Sequence, residues 1–266
     1  MTRGRAMEHR TALVTGASGG IGLELARLLA EDGHDLVLVA RDGAKLEGRA
    51  QELGAQQHVS VRWQATDLSV PGAAEALWDR LNVEKVAIDI LVNNAGVGLH
   101  GPVFAQSPEA LARMLQLNVV SLTTLTRLAL PGMRERRWGR ILNVASLAAH
   151  QPGGPGMAAY YASKAYVLSF SRALAREVRG SGVSVTALCP GPTETAFEKR
   201  AGASGTLLYR GPRMSASAVA RAGHRGMTRG SSVVVPGVVA KILAFAGELP
   251  PRQIALEVNR LLLMPR

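Results

Sequence analysis

The feature of this sequence that most limits its folds is the alternation of short apolar runs with longer stretches of helical period. Runs such as Thr11–Thr15 (TALVT) and Asp35–Ala40 (DLVLVA) are each followed by a segment whose apolar residues recur every three or four positions. This order is typical of βαβ units, in which a helix joins two parallel strands. The sequence therefore predicts an α/β fold: a single doubly wound parallel sheet with helices on both faces.

The other elements are predicted from the same periodicity. Further strands are expected at residues 58–64, 88–93, 140–145 and 183–188, with a short last strand at 232–235. Helices are expected at residues 21–31, 46–53, 71–82, 111–117, 119–133, 159–179, 215–227 and 238–246, and a mobile loop at 202–213. Because the 266 residues contain no repeat or low-complexity linker, we expect one domain over residues 1–266, loop-rich from about residue 196.

Composition restricts the class of protein. With 47% hydrophobic and 19% charged residues, a globular core is expected and disorder is not. The single cysteine, Cys189, excludes an internal disulfide and fits a reducing compartment. The N-terminal residues are basic but no apolar stretch follows them, and no apolar run approaches the ~20 residues of a membrane helix. The prediction is a cytoplasmic protein.

Positive charge is concentrated towards the C-terminus. The formal net charge is +11, and residues 196–266 hold 11 Lys/Arg against 3 Asp/Glu. A basic section of this kind suits peripheral contact with an anionic membrane surface, whereas the alternative is a solvated basic face that keeps the protein soluble. No nucleic-acid-reading motif accompanies the charge, so a nucleic-acid partner is not predicted.

A glycine-rich turn separates the first predicted strand from its helix. Glycine permits a tight turn and lets backbone N–H groups approach a pyrophosphate, at which the positive end of the following helix points. A purely structural turn has the same signature, but its place after a first strand favours a dinucleotide site. The residues assigned to it are Gly16, Ser18, Gly19, Gly20, Ile21 and Gly22.

These residues and several later motifs resemble the short-chain dehydrogenase/reductase family. The turn reads T-G-x-x-x-G-I-G, and N-N-A-G, with Asn94, Ala95 and Gly96, follows the fourth strand. Over residues 11 to about 195 the resemblance implies a Rossmann fold and hydride transfer between a nicotinamide cofactor and a carbonyl or alcohol. It also implies that Asp67, in T-D-L with Leu68, faces the adenine ring.

The end of the second strand bears on the choice of cofactor. An acidic residue there would accept a hydrogen bond from the ribose 2′-hydroxyl of NAD, but this chain has Ala40. Arg41 can meet the 2′-phosphate of NADP with a charge-assisted contact, while Asp42 either pairs with Arg41 or caps the next helix. We therefore predict NADP, with NAD as the less favoured alternative.

Tyr160 and Lys164 are the candidate catalytic pair. They stand four residues apart on a predicted helix and so project from one face. A free tyrosine has a pKa of ~10, and a nearby ammonium is expected to lower it towards working pH, so that the phenol can exchange a proton with the substrate oxygen. The pair matches the Y-x-x-x-K of the family, whereas Tyr161 is one residue out of register.

The resemblance extends to the residues around this pair. Ser146, 14 residues before Tyr160, matches the serine that hydrogen-bonds the substrate oxygen, although the family's spacing is one residue shorter. Asn118 matches the asparagine that kinks its helix and anchors a relay water near Lys164, with an ordinary kink as the alternative. The segment P-G-x-x-x-T, which in the family holds the nicotinamide carboxamide, corresponds to Pro190, Gly191, Thr193 and Thr195.

The C-terminal section departs from the family's pattern. It lacks the V-D-G-G ending that builds a tetramer contact, so a homo-oligomer is expected but a dimer is as plausible as a tetramer. The apolar loop residues Phe197, Leu207, Leu208 and Tyr209 suit a hydrophobic substrate, or pack the loop itself. His150 is a candidate for the border of the substrate cleft, and no metal site is predicted. The alternative function is a non-catalytic dinucleotide sensor or scaffold.

Overall fold

The computed structural model describes residues 9–249 and 251–264. The strands are β1 (Thr11–Thr15), β2 (Asp35–Ala40), β3 (Val61–Ala65), β4 (Ile90–Asn93), β5 (Gly139–Val144), β6 (Val183–Leu188), β7 (Thr193–Glu194), β8 (Met214–Ser215) and β9 (Val233–Val234). The helices are α1 (Gly20–Glu31), α2 (Gly43–Gln57), α3 (Ala73–Val83), α4 (Pro108–Leu115), α5 (Leu122–Glu135), α6 (Ala158–Glu177), α7 (Phe197–Arg200), α8 (Leu207–Arg210), α9 (Ala216–Thr228), α10 (Val238–Glu248) and α11 (Arg252–Leu262).

Seven of the strands form one parallel sheet in the order β3-β2-β1-β4-β5-β6-β9. The order reverses between β1 and β4, whose carboxyl ends therefore border a crevice, the usual ligand site of open α/β sheets. The short strands β7 and β8 pair outside this sheet. The predicted doubly wound α/β fold is confirmed.

The two faces of the sheet carry separate cores because side chains alternate along each strand. From β1, Val14 packs with buried leucines of α1 and α2 and with Val219 of α9. Its neighbour Leu13 packs with residues of α3, α5 and α6 on the other face. Burial on both faces explains why these strands read as continuous apolar runs.

Local backbone geometry shifts several predicted boundaries. His58 adopts φ 55° and ends α2, with its N–H donating to the Gly54 carbonyl, so β3 begins at Val61 and not at residue 58. Residues 202–213, predicted as a loop, contain the short helix α8. The helix α11 was not predicted at all.

The C-terminal helices α10 and α11 extend beyond the sheet. The Asn259 amide of α11 donates to the Gly153 carbonyl at 2.7 Å, and His100 donates to the Leu263 carbonyl at 2.8 Å. These contacts hold α11 over the loops that follow β4 and β5. Within the described ranges, no helix combines the length and apolarity needed to cross a membrane.

Candidate active site

A cleft of about 900 Å³ lies at the carboxyl ends of the central strands. Almost all of the residues predicted for the cofactor and for catalysis line this one cleft: Gly16, Ser18, Gly19, Gly20, Ile21, Arg41, Asp67, Leu68, Asn94, Ala95, Gly96, Ser146, Tyr160, Lys164, Pro190, Gly191, Thr193 and Thr195. Gly22 and Asn118 stand behind its wall. The fold therefore brings together residues that are up to 179 positions apart in the sequence.

The glycine turn is fixed to β4 by Asn94 and Thr15. The Asn94 amide donates to the Thr15 carbonyl at 2.9 Å, and the Thr15 hydroxyl accepts the backbone N–H groups of Asn94 and Ala95, each at 3.0 Å. A Cβ at Gly22 would overlap the Asn94 amide and would stand 2.5 Å from the Gly16 carbonyl. Only glycine fits at residue 22 while this contact is kept.

The start of α1 is suited to an anion. Its N-cap, Gly19, is extended, and no side chain caps the first turn of the helix. The backbone N–H groups in the first turn of α1 and the positive end of its dipole therefore remain available at the cleft. Gly20, at φ 60°, takes the left-handed conformation that the turn requires. This uncapped cradle fits the pyrophosphate of a dinucleotide.

Two basic side chains border the cleft near the end of β2. Arg41 was expected there, but Lys45, in the first turn of α2, was not. Asp42 caps α2 by accepting the Lys45 N–H at 3.1 Å, and its carboxylate also pairs with the Lys45 ammonium at 2.8 Å. Asp42 is therefore a helix cap, one of the two roles predicted for it, and its ion pair is with Lys45 and not with Arg41.

Asp67 is held in place by short hydrogen bonds. Its carboxylate accepts from the Ser69 hydroxyl at 2.6 Å and from Arg113 at 2.6 Å. Partial burial raises the pKa of Asp67, but the Ser69 hydrogen bonds and the charges of Arg113 and Arg41 outweigh burial and lower it overall. Asp67 is therefore a fixed anion at this end of the cleft.

Tyr160 is buried at the inner end of the cleft. Burial raises the pKa of its phenol to about 12, and a hydrogen bond with Ser146 acts in the opposite direction. The sequence predicted that the Lys164 ammonium would lower this pKa. That ammonium lies 6.0 Å from the centre of the ring, and burial, which is nearly complete, is the largest influence on the phenol. At neutral pH the phenol is protonated.

Lys164 projects from the same face of α6. Its ammonium donates to the Val144 carbonyl at 2.9 Å, and burial lowers the pKa of the side chain to about 8. A Cβ at Gly96 would stand 3.3 Å from both the Lys164 ammonium and the Asn118 side-chain oxygen. Glycine at residue 96 therefore leaves room for both groups beside its backbone.

Asn118 lies in a six-residue π-helical segment, Gln116–Ser121, between α4 and α5. Its amide donates to the Val97 carbonyl at 2.9 Å and to the Ser163 hydroxyl at 3.1 Å, and its oxygen accepts the Val97 N–H at 3.0 Å. The Ser163 hydroxyl in turn donates to the Tyr160 carbonyl. Asn118 thus connects the loop after β4 with the helix that carries Tyr160 and Lys164.

Ser146 begins a short 3₁₀ helix, Leu147–His150, directly after β5. Its hydroxyl accepts the Ala148 N–H at 3.1 Å. In the segment from 147 to 157, Gly154 faces the ring of Tyr161 so closely that a Cβ would overlap it. The ring of Tyr161 therefore packs under this loop, while the phenol of Tyr160 lies close enough to Ser146 for that hydroxyl to lower its pKa.

The segment after β6 completes the cleft. The Thr193 hydroxyl donates to the Gly191 carbonyl at 2.9 Å, and the Thr195 hydroxyl accepts the Phe197 N–H at 3.2 Å. A Cβ at Gly20 would stand 3.2 Å from the Thr195 methyl group. This segment therefore approaches the glycine turn from the opposite side.

The outer part of the cleft has an apolar wall that the sequence analysis identified only in part. Phe197 and Leu208 line it, which is one of the two roles expected for them, whereas Leu207 does not, and the side chain of Tyr209 lies outside the described residues. The remaining wall residues are Met157, Leu243, Ala246, Leu249, Ile254, Ala255, Val258 and Leu262. Most come from α10 and α11, where an apolar residue at every third or fourth position was the available signal.

His150 does not border the cleft. Its side chain is buried against α10, where its Nδ1 lies 2.8 Å from the Glu248 carboxylate, which also pairs with Arg172 at 3.2 Å. A Cβ at Gly247 would stand 2.5 Å from the His150 carbonyl. His150 therefore anchors α10 to the segment that follows Ser146.

In the described part of the chain, no cluster of three or more His, Cys, Asp or Glu could bind a metal.

Known proteins share this fold and sequence pattern. The short chain dehydrogenase family model matches residues 10–204. The 3-oxoacyl-[acyl-carrier-protein] reductase FabG of Vibrio cholerae is 36% identical over 193 residues, 73% of this chain and 77% of that protein. A short-chain dehydrogenase from Sphingobium yanoikuyae, solved with NADPH, is 36% identical, with a TM-score of 0.81 over 90% of this chain and 92% of that one.

A bulky-bulky ketone specific alcohol dehydrogenase from Comamonas testosteroni is 31% identical, with a TM-score of 0.75 over 86% of each chain. The family model stops before α9, α10 and α11, whereas the solved structures extend further along the chain. These similarities confirm the predicted enzyme class, an oxidoreductase that acts on alcohol or carbonyl groups with a nicotinamide cofactor. The chain belongs to the short-chain dehydrogenase family.

Proposed function

We propose that this protein catalyses the NADPH-dependent reduction of a hydrophobic ketone or aldehyde to an alcohol, or the reverse reaction. The observation that carries the proposal is the convergence of Tyr160, Lys164 and Ser146 on one cleft that also contains an uncapped glycine cradle. A proton donor and a dinucleotide site at the same edge of the sheet suit hydride transfer coupled to proton transfer.

The roles of the side chains follow from their positions. A bound NADPH supplies a hydride for the carbonyl carbon. Tyr160, protonated at neutral pH, donates its proton to the carbonyl oxygen, and the Ser146 hydroxyl stabilises the negative charge that develops there. Lys164, whose pKa of about 8 lies near neutrality, favours the phenolate left on Tyr160 and returns a proton to it. Asn118 positions Lys164 and the helix that carries it.

NADP is the preferred cofactor in this proposal. Arg41 gives the adenosine end of the cleft a positive charge, and the side chain of Ala40 offers no acceptor for a ribose hydroxyl. Asp42, which would repel a 2′-phosphate, is neutralised by Lys45 at 2.8 Å. The similar dehydrogenase from Sphingobium yanoikuyae was solved with NADPH, which supports the same choice.

The apolar wall supports a hydrophobic substrate. Met157, Phe197 and Leu208 face the inner part of the cleft, and α10 and α11 contribute aliphatic side chains further out. Such a lining favours an apolar group next to the carbonyl and offers little to a polyhydroxylated one. The similarity to an alcohol dehydrogenase specific for bulky ketones agrees with this preference.

Assembly of this protein as a homodimer or homotetramer stays a prediction.

Replacement of Tyr160 by Phe tests the proposal. We expect NADPH consumption with an apolar ketone to fall by about 10²- to 10⁴-fold, because the proton donor is lost, while NADPH binding measured by fluorescence changes little. Tyr161→Phe is the matched control and should retain most of the turnover. NADPH binding without turnover of any ketone or aldehyde by the wild type would instead favour the sensor or scaffold alternative.

A further inference from the structure

The helix α10 presents an apolar face to solvent. Val238, Ile242 and Phe245 follow one another at intervals of four and three residues and so lie on the same side of the helix, with Val239 beside them. Their exposed fractions lie between 62% and 73%. Scattered exposed apolar residues are ordinary, but four on one face of an eleven-residue helix form a patch.

The apolar patch continues on α11 and into the cleft. Leu249, Ile254 and Val258 are exposed and also line the outer cleft, and Leu261 extends the patch along α11. We call this set the docking surface: Val238, Val239, Ile242, Phe245, Leu249, Ile254, Val258 and Leu261. The mouth of the cleft therefore opens within a surface that is itself apolar.

The charges near the docking surface are predominantly positive. All three acidic residues of the C-terminal section are paired: Glu198 with Arg213, Glu248 with Arg172 and His150, and Glu257 with Arg260. Lys241 stands between Val238 and Ile242 in the sequence of α10 and takes part in no ion pair with any described residue. Arg252, at the start of α11, is also exposed.

We propose that the docking surface binds the protein to an anionic lipid bilayer. The apolar side chains would enter the boundary between headgroups and acyl chains, and Lys241 and Arg252 would reach the lipid phosphates. A second copy of the chain is a poorer occupant, because a two-fold contact centred on α10 would bring Lys241 close to its own equivalent without an unpaired carboxylate to neutralise it.

This proposal goes beyond the reduction reaction and does not depend on it. If the proposed function also holds, the mouth of the cleft faces the bilayer. An apolar ketone dissolved in lipid can then reach Tyr160 without crossing water.

Vesicle flotation tests the docking surface. We expect the full-length protein to float with vesicles that contain phosphatidylglycerol and to bind phosphatidylcholine vesicles much less. The double variant Ile242→Ser/Phe245→Ser should lose at least about tenfold in vesicle affinity, because it removes two exposed apolar anchors. Lys241→Glu should lose at least about five-fold at low salt and less at high salt.

Val83→Ser is the matched control, since Val83 is an exposed valine of α3 and lies outside the docking surface. It should float like the wild type. Circular dichroism and thermal unfolding should show that each variant is folded, as expected for residues that are largely in solvent. Light scattering without vesicles should give the same molecular mass for the wild type and the double variant, which shows that the substitutions do not dissociate an oligomer.

A tryptophan reporter gives an independent reading. Phe245→Trp should show a blue shift of its fluorescence when phosphatidylglycerol vesicles are added, and Val83→Trp should not. The proposal is overturned if the wild type does not float with anionic vesicles at low salt, if the double variant floats as well as the wild type, or if the double variant only dissociates an oligomer. Cofactor and substrate are absent from these assays, so a failed reductase test leaves their result unchanged.

Discussion

The amide group of Asn94 occupies the space in which a Cβ atom of residue 22 would lie. Asn94 follows β4, whereas Gly22 lies in the first turn of α1, and the Asn94 amide also donates to the carbonyls of Thr15 and Gly16. One side chain therefore sets the distance between β4, the glycine turn and the start of α1. The proposed pyrophosphate cradle depends on that distance.

Gly22→Ala is expected to disrupt this arrangement. Its methyl group must displace the Asn94 amide or the Gly16 carbonyl, which is backbone and cannot move freely. We expect a loss of about 1–3 kcal/mol in the free energy of unfolding and at least about tenfold weaker NADPH binding. Gly48→Ala is the control, because a Cβ there meets nothing within 4 Å in the interior of α2, and it should stabilise slightly. Equal melting temperatures for the two variants would contradict this account.

Arg41→Ala should change cofactor selectivity. Without the guanidinium, a 2′-phosphate loses one charge-assisted contact, which corresponds to about 10- to 100-fold in the KM for NADPH. The KM for NADH should change by less than about three-fold, since its adenosine ribose carries no 2′-phosphate. Arg49→Ala is the control, because Arg49 pairs with Glu52 at 2.7 Å away from the cleft. Equal effects on both cofactors would exclude a role of Arg41 in selectivity.

Lys164→Met should alter the pH dependence of stability. Burial lowers the pKa of Lys164 from 10.5 to about 8, so between these values the unfolded chain holds the proton more tightly than the folded one. The wild type therefore gains stability as pH rises from about 8 to 10.5, by about 3 kcal/mol, and the variant lacks this gain. Urea unfolding of both proteins at several pH values measures the difference. If stability changes with pH in the same way in both proteins, folding does not lower the pKa of Lys164.

Gly247→Ala should weaken substrate binding and leave cofactor binding intact. A Cβ at residue 247 would stand 2.5 Å from the His150 carbonyl, so α10 must move away from the segment that follows Ser146. Because α10 forms part of the apolar wall, we expect the KM for a hydrophobic ketone to rise several-fold, with a loss of stability of about 1–3 kcal/mol. NADPH affinity should stay constant. Gly205→Ala, where a Cβ meets nothing within 4 Å, should leave stability unchanged.

The sequence was informative where one periodicity dominates. β1, β2 and β6 lie at their predicted bounds, because strands buried on both faces are continuous apolar runs. The start of β3 was predicted three residues early, since a polar histidine does not reveal that it will adopt the left-handed conformation. The helix α11 was missed although apolar residues recur along it at helical spacing.

The sequence identified those residues of the candidate site that belong to short local motifs. Tyr160, Lys164, Ser146 and most of the cofactor residues line one cleft, although their roles stay predictions. Lys45 was missed because it lies beyond the end of β2, in the first turn of α2. The cap formed by Asp42 sets the position of that turn beside the cleft. Burial, which raises the pKa of Tyr160, was not anticipated, because burial depends on contacts between distant parts of the chain, such as the tilted packing of Phe197 against its ring.

The contacts that hold α11 in place are separate from the side chains by which α11 lines the cleft. Its polar contacts run from Asn259 to the Gly153 carbonyl and from His100 to the Leu263 carbonyl, so they involve none of the aliphatic residues by which α11 lines the cleft. The inward-facing aliphatic residues of α11 are consequently free to vary in size while the helix stays in place. Under the proposed function, grafting a different terminal helix onto the same reaction centre is thus a direct way to alter which carbonyl substrates the cleft accepts.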